Sequence, residues 1–368
     1  MIELFPATIY YPVFLVISII LTLVYSKKLK KGITYPGQKG SFGIILPYAI
    51  LFIVIIGLRP ISIEFADTVS YAEIYQSLAG QDILSASLTF SDDLVFSFFM
   101  WACAQVMPCQ VFFLIIEILY MVPVIIAIKK LVPGEPGAML LFFMTAFSFF
   151  SYGTNGIRNG MACSLVILIL ALLQNLNVKK FIAAALLAVV AFFTHRSVAL
   201  PIVCAVVCLI YGNTKGILAF WFLSIFISLV AGSQVETFFI GLGFDERMAE
   251  YSSENVNEEA FSHVGFRWDF LLYSAMPILL GWYIVIKRKI KDKTYQYFLN
   301  VYILCNAFWI MVIRMASSNR FAYLSWFLYP IVLGYPLLSF PVFKKANNKK
   351  VALILFAHTM FTVIMGLR

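Results

Sequence analysis

Apolar runs about as long as a bilayer is thick recur along this chain, and the short breaks between them carry lysine. That rhythm constrains the fold more than any single motif does. A helix needs about 20 apolar residues to cross the hydrocarbon core, where it must satisfy its backbone internally. Hydrophobic residues make up 62% of the 368, enough for about 11 or 12 transmembrane helices at that length. Charged residues make up 12%, about half of the ~25% usual in soluble domains. A soluble enzyme, a nucleic-acid binder and a disulfide-stapled secreted domain are excluded on that ground. The expected fold is an all-α integral membrane protein, one polytopic bundle of about 12 transmembrane helices over residues 1–368.

The runs lie at 8–25, 42–58, 110–128, 137–152, 157–174, 181–194, 197–211, 216–232, 268–286, 295–313, 320–340 and 350–366. Lysines cluster at 27–31, 129–130, 179–180, 287–293 and 344–350, with single ones at 39 and 215. The positive-inside rule puts these breaks in the cytoplasm and both termini outside. Residues 93–107 are apolar, but fifteen residues of helix rise only about 22 Å. That is short of a ~30 Å core, so this segment is expected to be a re-entrant or interfacial helix on the outer face. Two long outer loops follow, 59–92 and 233–267, both rich in acidic residues. The N-terminus lacks a basic stretch ahead of its first apolar run, so no cleavable signal peptide is expected. The six cysteines show no metal-ligand spacing and read as small core residues.

This topology separates the two basic residue types. All 18 lysines fall on the cytoplasmic side, whereas eight of the nine arginines (Arg59, Arg158, Arg196, Arg247, Arg267, Arg314, Arg320, Arg368) fall on the outer side or just beneath it. Lysine accounts for orientation, and the net charge of +9 is mainly that signal. The arginines lie on the face that topology disfavours. A planar, permanently charged fork suits phosphate and carboxylate. The structural alternative is pairing with the many outer carboxylates.

Three constellations stand out. Asn155-Gly156-Ile157-Arg158-Asn159-Gly160 sits at the outer mouth between two runs, with Arg158 near a helix N-terminus that favours anions. Gly156 and Gly160 also form a small-xxx-small pair, which could serve helix packing alone. Thr194-His195-Arg196-Ser197 is the polar break in the apolar stretch 181–211, and histidine is the side chain most easily poised as a base near neutral pH. A histidine hydrogen-bonded between helices is the alternative. Arg314 and Arg320 flank an outer turn, with Tyr323 on the same helix face as Arg320. Arg267, next to Trp268-Asp269, is a further candidate or an interfacial residue. Glu117 is the one carboxylate at bilayer depth; it could neutralise an arginine, bind a proton or ion, or be protonated and inert. His358, alone in the last run, reads as structural.

The order of Asp67-Thr68 and Tyr71, then Gly156-Ile157-Arg158-Asn159-Gly160-Met161-Ala162, then Thr194-His195-Arg196-Ser197-Val198-Ala199-Leu200, then Asn319-Arg320-Phe321-Ala322-Tyr323 resembles the bacterial EpsG-like polysaccharide polymerases. These are related in function to the Wzy O-antigen polymerases, and the resemblance runs over roughly residues 40–340. It implies a glycosyltransferase of the bacterial inner (cytoplasmic) membrane with its active face toward the periplasm. The implied substrates, donor and acceptor, are oligosaccharides on undecaprenyl pyrophosphate. No metal, nucleotide, other cofactor or nucleic acid is implied. A flippase and a chain-length regulator would be neighbours in such a system.

Arg158, His195 and Arg320 match the family's conspicuous arginine, histidine and arginine. With Arg196 and Arg314 added, Arg158 and Arg320 become the expected pyrophosphate ligands. His195 is the expected base for the acceptor hydroxyl, with Asp67 and Glu64 behind it. Asn159, Tyr71, Arg59, Arg267, Tyr323 and His263 are candidate substrate contacts. An O-antigen ligase would share the donor chemistry and differ in acceptor. A lipid-linked oligosaccharide transporter would need charged groups reachable from both faces, and the sequence shows no internal repeat.

Overall fold

The computed structural model describes residues 5–35, 37–174, 177–241, 265–315 and 318–367. The helices run α1 Tyr10–Lys31, α2 Ile45–Gly57, α3 Thr68–Leu78, α4 Ile83–Ser87, α5 Leu94–Ala104, α6 Cys109–Leu131, α7 Pro136–Met144, α8 Phe149–Thr154, α9 Ile157–Leu173, α10 Val178–Thr194, α11 Ala199–Ile210, α12 Thr214–Gly241, α13 Trp268–Trp282, α14 Lys293–Met311, α15 Asn319–Trp326, α16 Tyr329–Ser339 and α17 Asn347–Gly366. No strand occurs among the described residues. Among the described residues, six helices are long and apolar enough to cross a membrane: Ala7–Lys31, Cys109–Leu131, Thr214–Val235, Trp268–Lys287, Asn319–Ser339 and Asn347–Gly366. The chain is therefore a multi-pass membrane protein.

The expected crossings beyond these six are shorter, broken or more polar helices. The run 137–152 breaks between α7 and α8. There the Thr145 hydroxyl folds back onto the Leu141 carbonyl at 2.7 Å, and the freed Thr145 carbonyl accepts a hydrogen bond from Thr362 Oγ1 on α17. An unpaired carbonyl at that depth would be costly, so the break depends on its partner helix. The segment beginning at residue 93 forms α5, which at 11 residues rises about 16 Å and is too short to cross.

The chain divides into two compact units, residues 1–198 with 334–368, and residues 199–333. In the first, α9 packs between α6 and α10, α2 packs on α6, and α1 pairs with α17. Thr22 and Thr359 share a hydrogen bond across the α1–α17 seam at 2.8 Å. His358 is bonded to the Phe142 carbonyl through Nε2 at 2.9 Å, which fits the structural role expected of it. Lysines close one end: α1 ends on Lys28, Lys30 and Lys31, and α6 on Lys129 and Lys130. Buried Glu135 binds Lys28 Nζ at 2.7 Å and the Thr34 amide at 3.1 Å, tying that end together. Along α10 the chain climbs from Lys179 and Lys180 to His195 at its C-cap, a rise of about 22 Å.

In the second unit α14 is the central helix, contacting α11, α12, α13 and α15. It is buried nearly all round, so its polar side chains need internal partners. Asn306 accepts from Trp221 Nε1 at 2.8 Å and donates to Ser325 Oγ at 3.2 Å. Trp326 Nε1 donates to Ser274 Oγ at 2.7 Å, and Tyr273 stacks on Tyr329 with ring centroids 4.3 Å apart.

Candidate functional site

The site forms where α9 begins, α10 ends and α5 starts. Asp93, immediately before α5, is buried, and its two oxygens serve three partners. Oδ2 accepts from Arg158 Nη1 at 2.8 Å and meets His195 Nδ1 at 3.1 Å, while Oδ1 accepts from the Arg196 backbone amide at 3.1 Å. Arg158 also donates from Nε to the Tyr71 hydroxyl at 3.0 Å, and its guanidinium lies over the rings of Tyr71 and Phe96. Arg196 turns outward and pairs through Nη1 with Asp92 Oδ2 at 2.6 Å, both side chains about half exposed.

Local structure explains the convergence. α10 ends at Thr194, whose hydroxyl caps the Val190 carbonyl, and His195 leaves the helix in extended conformation. A single 3-10 turn, Arg196–Val198, then offers the Arg196 amide to Asp93. α9 begins at Ile157, so Arg158 stands in its first turn with the side chain 26% exposed. Gly160 lets α9 approach α8: a Cβ there would lie 2.7 Å from the Tyr152 carbonyl oxygen. Gly156 carries no such constraint, since the nearest atom would be 3.7 Å away.

Burial raises the Asp93 carboxyl, but the hydrogen bond and charge of His195, the Arg158 guanidinium and the Arg196 amide outweigh it. The net effect holds Asp93 below the usual carboxylate value and keeps it ionised. An ionised carboxylate can only accept, so Nδ1 of His195 carries the proton on that side. In the neutral ring Nε2 is then the nitrogen that can accept one. Arg158 has spent Nε and one hydrogen of Nη1 on these contacts, which leaves Nη2 able to reach an anion. Tyr71 accepts from Arg158 and so keeps its own O–H to donate. Asp92, Asp93 and, through its charge, Asp67 set three carboxylates against the Arg158 and Arg196 guanidiniums, so an anion would be held by directed donors rather than by excess positive charge.

Other sequence candidates distribute around this cluster. Asp67 is exposed at the N-cap of α3, its amide bonded to Asn155 Oδ1 at 3.3 Å, and its charge acts on Tyr71. Asn159 accepts from Cys163 Sγ at 3.1 Å. Arg59 is closed off from solvent. It donates to the Ile56 and Thr154 carbonyls and to Thr68 Oγ1, and faces Glu117 at 4.0 Å. Glu117 is fully buried beside this guanidinium, and neither of its carboxyl oxygens has a hydrogen-bond partner among the described residues. Arg59 supports the turns that lead to Tyr71 and Arg158, rather than facing an open cavity.

Arg267, Arg314, Arg320 and Tyr323 belong to the second unit. Arg267 forks onto Asp269 at 2.8 and 3.0 Å and lies 3.8 Å over the Phe270 ring. Arg314 donates to the Ser228 carbonyl at 3.3 Å. Arg320 stands exposed in the first turn of α15, and Tyr323 packs near Trp326. His263, Arg247 and most of the 233–267 loop lie outside the described residues.

Asp93 is the functional residue that sequence reasoning passes over. Its only signal is the Asp92-Asp93 pair directly ahead of an apolar helix, with partners 65 and 102 residues away.

The helices and this cluster define a multi-pass membrane protein with a carboxylate–imidazole–guanidinium site at the end of its helices opposite the α10 lysines. The sequence pattern of the EpsG family matches residues 43–367, and the chain belongs to that family. Membership and the apolar helices together make it a membrane protein of polysaccharide biosynthesis. No curated protein and no solved structure matches the chain.

Proposed function

We propose that this protein polymerises undecaprenyl-pyrophosphate-linked oligosaccharide repeat units on the periplasmic, outer face of the bacterial inner membrane. The observation that carries the reading is Asp93 holding Arg158 and His195 on one carboxylate oxygen. Polymerisation needs a base for the acceptor hydroxyl and a stabiliser for the leaving pyrophosphate, side by side. His195 Nε2 takes the proton as the acceptor oxygen bonds to the anomeric carbon of the donor. The bond from that carbon to pyrophosphate breaks, and the electron pair leaves on the lipid-linked pyrophosphate. Arg158 and the Tyr71 hydroxyl stabilise the charge that develops there, and fixed donors in a water-poor site do this best. Arg196 is a further pyrophosphate contact on this reading.

The test is the purified protein in nanodiscs with lipid-linked repeat units as the sole substrate, products resolved as a chain-length ladder. A ladder without added lipid A core supports polymerase over ligase. His195→Ala should lower its rate about 10²- to 10⁴-fold, the usual worth of a general base. Absence of any ladder from the wild type, or full activity in His195→Ala, defeats the assignment.

A further inference from the structure

Two cavities flank the Asp93–Arg158–His195 cluster, and a single side chain, Phe96, lines both. The first, about 280 Å³, lies between α3, α5 and the 89–91 turn, with Arg158 in its wall. Aromatic residues (Tyr71, Phe90, Phe96) and hydroxyl-bearing ones (Thr89, Ser91, Ser97) line it together; Thr89 donates to the Ala86 carbonyl at 2.8 Å, and the Ser91 and Ser97 hydroxyls share a hydrogen bond at 3.0 Å. Its rim is exposed, Ile74 being 50% and Ser91 likewise open. Flat apolar rings beside hydroxyls and a guanidinium suit a sugar ring that carries a phosphate. Pockets for drug-sized ligands run ~300–1,000 Å³, so this one admits about one ring and not a whole repeat unit.

The second cavity, about 200 Å³, lies between α5, α6, α9 and α10 and is lined by Val95, Phe99, Leu119, Leu165 and Val190 with Thr194 at its polar end. Leu119 and Val190 are 38% and 40% exposed, on helices whose outward faces carry Ile118, Val122, Leu186 and Val189. Those faces are the ones a membrane covers, so this cavity opens sideways to hydrocarbon and offers an occupant almost no polar partner. An isoprenoid chain fits that description and a sugar does not.

Resting on the polymerase reading, we infer that Phe96 divides one substrate between the two cavities: the sugar attached to pyrophosphate in the first, the proximal isoprene units in the second. Pyrophosphate then falls at Arg158, in the wall of the first cavity and 5.8 Å from the centroid of the dividing Phe96 ring. It follows that the enzyme reads the first sugar of its donor, through Ser97, Ser91 and Phe90, and leaves the rest of the repeat outside.

Binding by the intact protein in nanodiscs, followed by native mass spectrometry, tests this with two probes: undecaprenyl pyrophosphate, and a panel of undecaprenyl pyrophosphates each bearing one sugar. The wild type should prefer at least one sugar-bearing lipid about tenfold or more over the bare one. Ser97→Trp, which fills the first cavity, should erase that preference and bind the bare lipid as the wild type does. Leu165→Trp, which fills the second, should weaken both probes about tenfold and keep their ratio. Ile74→Trp, at the exposed rim, repeats the first test without burden on folding. No preference in the wild type, or the same response from Ser97→Trp and Leu165→Trp, overturns the division at Phe96. Failure of the wild type to bind any of the lipid pyrophosphates overturns the polymerase reading itself.

Discussion

At the residue scale the site is organised by a carboxylate rather than by a cation. Asp93 fixes the histidine ring, one arginine fork and one backbone amide at once. Arg158 needs two separate donors in fixed directions, Nε for Tyr71 and Nη1 for Asp93. A lysine offers three donors, but all from one nitrogen on a flexible stem, and cannot reproduce two donors fixed at separate positions. Arg158→Lys should therefore abolish the polymer ladder while the protein stays in the membrane at wild-type amounts; a ladder of normal length would show that charge alone suffices. Asp93 also makes a pH-dependent contribution to stability, and its sign follows from its depressed folded value. The contribution is fully present above the ordinary carboxylate value of ~3.9 and is lost as pH falls through the lower folded value. Asp93→Asn should melt below the wild type at pH 7, with the gap closing only below that ordinary value, as read by thermal unfolding in detergent. Arg158 and His195 were legible in sequence because each sits in a short polar break between apolar runs, whereas Tyr71, inside the long 59–92 loop, stood out only through the family resemblance. Asp93 was not, since one acid at the edge of an acidic loop looks like any other until its distant partners are known.

At the element scale, the site depends on how closely short helices approach each other. Apolar periodicity makes long helices such as α6 legible, but it cannot mark where a continuous apolar run will break. α7 and α8 separate because Thr145 and Thr362 provide local hydrogen bonds for the break, one of them from a helix more than 200 residues away in sequence. The glycine pair illustrates the same limit. Spacing alone makes Gly156 and Gly160 equivalent, whereas the backbone approach singles out Gly160, where a Cβ would press on the Tyr152 carbonyl. Gly160→Val should push α9 off α8 and displace Arg158, two residues earlier on the same helix. Overpacking of this kind costs about 1–3 kcal/mol, so a lower melting temperature and a weaker ladder are expected together. Gly156→Ala should leave both unchanged. Equal effects from the two substitutions would return the pair to general packing.

At the scale of the whole molecule, the separation of lysine from arginine is a statement about sidedness. The two ends of α10 show it: Lys179 and Lys180 stand at one, and the Asp93–His195–Arg158 cluster at the other. If lysine orients the chain, the cluster faces away from the cytoplasm, the side that the proposed reaction requires, and the lysine end faces the cytosol. The native cysteines favour a labelling test, since five of the six are buried and only Cys109 is partly accessible. In a Cys109→Ser background, Asp82→Cys and Lys180→Cys place one thiol each at opposite ends. Asp82 caps α4 in the 59–92 segment and is fully solvent-facing, so a cysteine there disturbs one cap and no packing. A membrane-impermeant maleimide applied to intact spheroplasts should label Asp82→Cys at once and Lys180→Cys only after lysis. The opposite order would put the site in the cytoplasm and remove periplasmic polymerisation from consideration. Labelling of both without lysis would break the lysine rule for this chain, and with it the argument that the arginines are placed by chemistry rather than by topology.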